Sequence, residues 1–232
     1  MRILGNIEWA DTPEDAMALQ NKLREHVSLH NDFKDVKIIC GVDCSYDLQT
    51  NMSRAVLCAF SYPELDLLES AMAHLPTIFP YVPGLLSFRE IPVILEAFKV
   101  TSIKPDLLMV DGMGIAHPRR MGIATHLGLC LDIPAIGVGK SLLCGRYDMP
   151  GSLKGNQSPL IHKKEIIGTV LRTKDNINPL FISPGHKIDH ETAVQMVLNC
   201  VRKYKLPEPT HTADKFSKIR PVKTLPAQRN LI

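Results

Sequence analysis

KIICGVDCSYD, residues 37–47, decides how the chain is organised. Its apolar run reads as a buried β-strand that turns polar from Asp43 onward. AVLCAFSYP (55–63) and LDLLESAMAHL (65–75) follow as two more strands, joined at a turn around Pro63–Glu64. Three strands in succession predict an antiparallel meander. Upstream, DTPEDAMALQNKLREHV (11–27) predicts a helix, with Thr12 as its cap, Pro13 in the first turn and acids just behind. Downstream, helices and strands alternate. REIPVILEAFKVT (89–101) reads as a helix with Pro92 near its start, where proline is tolerated. KPDLLMVDGMG (104–114) is a short strand ending in Asp and Gly, and HPRRMGIATHLGLCLD (117–132) a helix with Pro118 in its first turn. IPAIGVGK (133–140) and EIIGTVLRT (165–173) are further strands. DHETAVQMVLNCVRKYK (189–205) is an amphipathic helix with Asp189 near its start and basic residues at its end. From Leu206 onward, prolines at 207, 209, 221 and 226 predict an irregular or only partly helical tail. A meander followed by alternating helices and strands predicts one α/β domain over 1–232, a mixed β-sheet with helices on its faces.

Composition narrows the classes. The 232 residues are 45% hydrophobic and 22% charged, which suits a globular core. The net charge is only +3, so any basic surface must be local. No run approaches the ~20 apolar residues of a membrane span. MRILGNIEWADTPED carries charge too early for a secretory signal. Six cysteines form no CxxC pair and no zinc spacing, and most lie in apolar runs. They read as reduced, buried thiols in a soluble cytoplasmic protein. No coiled-coil seam is visible, and a monomer is expected.

Two apolar strands end in carboxylates, IICGVD at Asp43 and LLMVDG at Asp111, and Glu90 stands at the start of a helix. Buried acids are costly unless paired, capped or metal-bound. Taken singly, Asp111 can be a turn residue, Asp43 a cap and Glu90 a first-turn helix acid. Together, on neighbouring elements, they would suit Mg²⁺ or Mn²⁺ and phosphodiester cleavage. GVGKS (137–141) resembles a phosphate loop, but Pro134 stands where the first glycine should be, so the pattern fails. Lys140 can reach a phosphate or the acids, or simply extend to solvent. In HPRR, His117, Arg119 and Arg120 at a helix start would oppose its dipole and hint at an anionic partner, though two solvated arginines would fit as well. FPYVPGLLSFRE (79–90) is a stiff loop: two prolines bracket Tyr81 and Val82, and Gly84 permits a turn.

These stretches, in order, resemble the endonuclease V family. GVDCSYD, YVPGLLSFRE, DLLMVDGMGIAHPRRMGIATHLG, PAIGVGKSLLCG, NPLFISPGHKI and LPEPTHTAD carry the resemblance across residues 41–214. It implies a ribonuclease-H-like fold and Mg²⁺-dependent cleavage (Mn²⁺ substituting) of nucleic acid beside deaminated adenine, that is, DNA containing deoxyinosine or else inosine RNA. The expected cut is the second phosphodiester bond 3′ to the lesion, leaving 3′-hydroxyl and 5′-phosphate ends. A nucleic-acid-binding protein with a dead metal site is the non-enzymatic alternative, and the intact acids argue against it. Residue by residue, the resemblance implies that Asp43 and Asp111 bind metal and that Glu90 is the third catalytic acid. It implies that Lys140 lies near the active site. Asp214 matches a position held by Asp or His, either of which ligates metal or orients water. Tyr81 and its neighbour Pro83 would form a rigid wedge inserted where a base leaves the stack. Gly84, Leu86, Gly112, Gly122 and Ile123 would form the pocket for the flipped base, with His117 beside them. One departure is His211, where arginine is expected after Thr210.

Overall fold

The computed structural model describes residues 9–219. The first charged residues of the chain, and Pro221 and Pro226 of the tail, lie outside that range. The meander forms as expected: β1 (Ile38–Asp47), β2 (Met52–Ser61) and β3 (Leu67–Pro76) pair antiparallel. β4 (Leu107–Val110) and β5 (Ala135–Gly139) then add parallel to β1. Three strands complete an eight-stranded mixed sheet: β6 (Gln157–His162), β7 (Glu165–Leu171) and β8 (Leu180–His186). The order across the sheet is β3-β2-β1-β4-β5-β8-β7-β6. Among the described residues no helix is long and apolar enough to cross a membrane.

Side-chain alternation along the central strands builds the two faces. Cys40, Val42, Leu108 and Val110 point toward α2 (Leu86–Val100) and α3 (Ile123–Leu131). Ile39, Leu107 and Met109 point the other way, toward α4 (His190–Asn199) and Ala213 of α5 (Glu208–Ser217). α5 lies almost directly on β1. A Cβ at Gly41 would stand 2.0 Å from the Pro209 carbonyl oxygen, so glycine there is what permits the approach. α1 (Pro13–Leu23) packs outside α2, with Ala16 and Leu19 against Phe79, Leu85 and Phe88. Its Thr12 cap accepts from the Asp15 amide, as the pattern predicts.

Several local expectations are corrected. α2 begins at Leu86, so Pro92 is interior and Glu90 lies in the second turn rather than the first. α3 begins only at Ile123, so HPRR forms an irregular turn and opposes no helix dipole. α4 ends at Asn199, before the basic residues, although Asp189 caps it through the Thr192 amide. The tail is partly helical, the second of the two expected readings: α5 forms because Pro207 and Pro209 fall at its cap and first turn, where no amide donor is lost.

Candidate active site

β1 outlasts its parallel partner. β4 ends at Val110, opposite Val42, and the Asp111 amide donates to the Val42 carbonyl at 2.9 Å. Asp43 is therefore not at a strand end. It is a mid-strand residue exposed to Asp111 by the shortness of β4, and its other flank pairs with Val56 of β2. It points to the α5 side, where Ser217 donates to its carboxylate. α5 also brings Asp214. Asp43, Asp111 and Asp214 each present an oxygen within 4.8 Å of the others. Glu90 stands beside this trio from α2.

Electrostatics show how unfavourable the cluster is on its own. Burial, then a hydrogen bond and the charge of Asp111, push the Asp43 carboxyl up to about 7, against the pull of Ser217 and Lys140. Burial and the charges on Asp43 and Asp111 push Glu90 up to about 8. Desolvation first, then the charges of Glu90, Asp43 and Asp111, push up the thiol of the half-buried Cys44. Cys44 is one of six free cysteines, as the sequence predicts. Partial relief comes from Lys140, whose ammonium bridges Asp111 and Asp214. Burial opposes its charge, but the two carboxylates win and raise it to about 12. Lys218 adds a second ion pair to Asp214 at 2.6 Å. Asp214 is consequently held below its ordinary value, its ion pairs with Lys140 and Lys218 outweighing burial. Three converging carboxylates, one pushed up, with an ammonium already lodged among them, form a donor set that fits a hard divalent cation.

A cavity of about 370 Å³ opens beside the acids, within the ~300–1,000 Å³ range of small-molecule pockets. Tyr81, Pro83, Gly84, Leu86, His117, Gly122 and Ile123 all line it. Two residues connect it to the acids: Asp111 belongs to both, with Gly112 after it as pocket wall, and Lys140 lines the cavity while pairing with Asp111 and Asp214. Gly112 takes φ +148, and a Cβ there would stand 2.5 Å from Ile123 Cγ2, so any side chain would be strained and in the way. Tyr81 is 70% exposed at the loop tip.

The loop is fastened from behind by residues whose role the sequence does not reveal. The Gly84 carbonyl accepts from Gln20 Nε2 at 3.0 Å and Arg119 Nη2 at 2.9 Å, with His117 Nε2 also at 2.9 Å. His117 is 2% exposed, and burial pulls it down to about 4, so it is neutral. Its Nδ1 accepts from the Arg119 and Met121 amides, which leaves the proton on Nε2, donating to Gly84. Arg119 also donates to Gln20, and Arg120 to Glu165 and the His162 carbonyl. The two arginines thus tie loops together, Arg119 the 79–86 loop and α1, Arg120 the turn between β6 and β7. Gln20, Ser217 and Lys218 carry no signal in the sequence, because only contacts between distant segments give them a role; Met113, Met121 and Leu143 lie within the matched strings, but only the cavity marks them as its wall.

Residues 21–215 match the family model for Endonuclease V. The chain belongs to the endonuclease V family. It is 47% identical over 221 residues to Endonuclease V of Trichormus variabilis, covering 95% of this chain and 100% of that one. The crystal structure of the Endonuclease V from Streptomyces avermitilis superposes with a TM-score of 0.86 at 37% identity, covering 91% of this chain and 94% of the other. Ciona intestinalis Endonuclease V, solved in complex with a 24mer DNA containing an inosine followed by a ribo-adenosine, gives 0.78 at 29% identity, covering 88% and 95%. The eight-stranded mixed sheet flanked by helices is thus an endonuclease V fold, and the chain is a nuclease.

Proposed function

We propose that this chain is a Mg²⁺-dependent endonuclease acting on inosine in DNA. It cleaves the second phosphodiester bond 3′ to the lesion and leaves 3′-hydroxyl and 5′-phosphate ends. The observation that carries the reading is the Asp111–Gly112 peptide, one end in the acid cluster and the other in a base-sized pocket. Family membership and the inosine-containing DNA bound by the Ciona relative support the choice of base. A single domain over 1–232, acting as a monomer in the cytoplasm, is part of the proposal.

Asp43, Asp111 and Asp214 would hold the ion, Mg²⁺ or Mn²⁺. A bound ion of this kind makes water a nucleophile at neutral pH and stabilises charge on phosphate oxygens. The chain's own residues do the rest. Tyr81, stiffened by Pro80 and Pro83, fills the gap left by the unstacked base, a step costing a few kcal/mol. Little loop entropy is lost, because prolines and the Gly84 clasp hold the tip beforehand. Gly84, Leu86, Gly112, Gly122 and Ile123 enclose the base, with backbone amides and carbonyls able to reach its edge. His117 contributes wall and clasp. Lys140 balances the carboxylates and can meet a phosphate, and Glu90 is the third acid beside them. Base and scissile phosphate are held by adjoining parts of one rigid surface, so the cut falls away from the lesion.

The test is incubation with Mg²⁺ and matched inosine-containing DNA and RNA, with the cut position read on a gel. The expected product is a nick at the second bond 3′ to inosine, the lesion staying on the strand. Release of free hypoxanthine, or incision that ignores where inosine lies, would falsify this reading. The ribo-adenosine beside the inosine in the Ciona complex makes the RNA arm a necessary one. Cleavage of RNA alone would assign the chain to inosine RNA instead.

A further inference from the structure

The acid cluster lies on the α5 face of the sheet, beside the end of β4, where β1 runs on past Val110. The pocket is walled by the start of α2 and by Gly122 and Ile123 at the start of α3, while Asp214 reaches the cluster from α5 on the opposite face. A strand with one base in the pocket and a phosphate at the acids must therefore continue onto the α5 side. What it meets there is a basic and aromatic stripe. His211 and Asp214 lie one turn apart on α5, on the same side of the helix. The His211 ring stacks on Tyr204, centroids 3.9 Å apart and planes 20° from parallel. Tyr204 is 44% exposed. Lys203 Nζ stands 5.5 Å from the Tyr204 ring centre. Lys205 feels burial first, then the positive charges of Arg172 and Lys140, so it shares the field of the lysine that bridges the acids. Among the described residues neither Lys203 nor Lys205 forms an ion pair with a carboxylate. In a chain of net charge +3 this is a local concentration of uncompensated cations. An ammonium beside a stacked ring pair, with Lys205 next along the chain after Tyr204, matches a nucleic-acid strand, whose phosphates seek the cations and whose bases stack on rings of any sequence context.

We propose that Tyr204, His211, Lys203 and Lys205 form a second nucleic-acid subsite, which holds the strand on the 3′ side of the cut. The direction of the strand rests on the reading given under Proposed function; the subsite itself does not. Trimming the strand beyond the cut should then weaken wild-type binding and leave chemistry untouched. With single-stranded inosine DNA, shortening the 3′ tail from about eight nucleotides to one should raise KM about tenfold at constant kcat. Tyr204→Ala and the Lys203→Ala/Lys205→Ala pair should show the raised KM on the long substrate and no further change on the short one. Tyr204→Phe should behave as wild type, and the lysine pair should lower the slope of log KM against log salt by about one to two. Anisotropy with an unmodified single strand of about eight nucleotides reads the subsite without the lesion. If wild type cuts no inosine yet both variants weaken that binding, only the earlier reading fails. Equal trimming effects in wild type and variants, or unmodified-strand binding that ignores Tyr204, overturns the subsite.

Discussion

Asp43 is 8% exposed, faces Asp111, and is pushed up to about 7 chiefly by burial. A carboxyl whose folded pKa exceeds its unfolded value costs stability as pH rises from about 4 to 7, because the unfolded chain gives up its proton more easily. Asp43→Asn should therefore raise the thermal midpoint of the metal-free protein at pH 8. The same change, like Asp111→Asn, should lower Mg²⁺-supported cleavage by more than about a hundredfold. Near-normal cleavage by either variant, or a metal-free midpoint that falls in Asp43→Asn, would contradict the assignment. Gly112 offers a cleaner probe of the pocket. Its φ of +148, and Ile123 lying 2.5 Å from where a β-methyl would stand, leave no room for alanine. Gly112→Ala should impair inosine cleavage while the ion pair of Lys140 with Asp214 persists, and a variant with wild-type KM would show that the pocket is not used.

At the scale of elements, the 79–86 loop is stiff because it is clasped, and not only because it contains prolines. Three donors converge on the Gly84 carbonyl, and Gln20 from α1 also reaches the Met121 carbonyl at 3.1 Å. Gln20→Ala leaves that buried carbonyl without its partner, a loss of about 1–3 kcal/mol. It should appear as a lower thermal midpoint together with a higher KM, since loop and pocket move as one. Tyr81→Ala is the contrasting change. Its side chain is 70% exposed, so discrimination for inosine should fall with little change in melting. A large stability loss in Tyr81→Ala would mean that the ring packs and does not probe the substrate.

Across the whole molecule, two opposing pH dependences share one window. His117 and His126 are buried and held down to about 4, burial being the main cause for both. A histidine with a depressed folded pKa stabilises above its unfolded value of about 6.5, and that stability is lost as pH falls toward 4, up to about 3 kcal/mol each. Asp43 and Glu90 act in the other direction, losing stability as pH rises toward about 7 and 8. Urea titrations of the metal-free protein between pH 5 and 8 should thus give a shallow profile. Asp43→Asn should unmask a steeper rise with pH, and a profile unchanged by that substitution would show the carboxylates are not the opposing element.

Local pattern by itself determined the meander, the capped first helix, β4, β5 and β7, and the alternation that puts two apolar faces on one sheet. Those signals are short-range: side-chain period, caps and turn residues act within a few positions. It also carried the pocket and acid residues, through long strings that match a family. It did not reveal β8, in which Pro184 pairs with Ile136 and Gly185 falls at the bulge before His186 pairs with Ala135, nor the extent of α5, whose prolines lie where a helix tolerates them. Only the tertiary structure decided that HPRR is a clasp, because Arg119 and Arg120 find partners 99 and 45 positions away. It also showed how Asp214, which the resemblance had placed at the site, reaches Asp43 and Asp111, and that Lys140 pairs with Asp111 and Asp214. The physical reason is the same in each case: charge and burial energies depend on distance in space, and sequence neighbours do not determine which distant groups the sheet will bring within 4 Å.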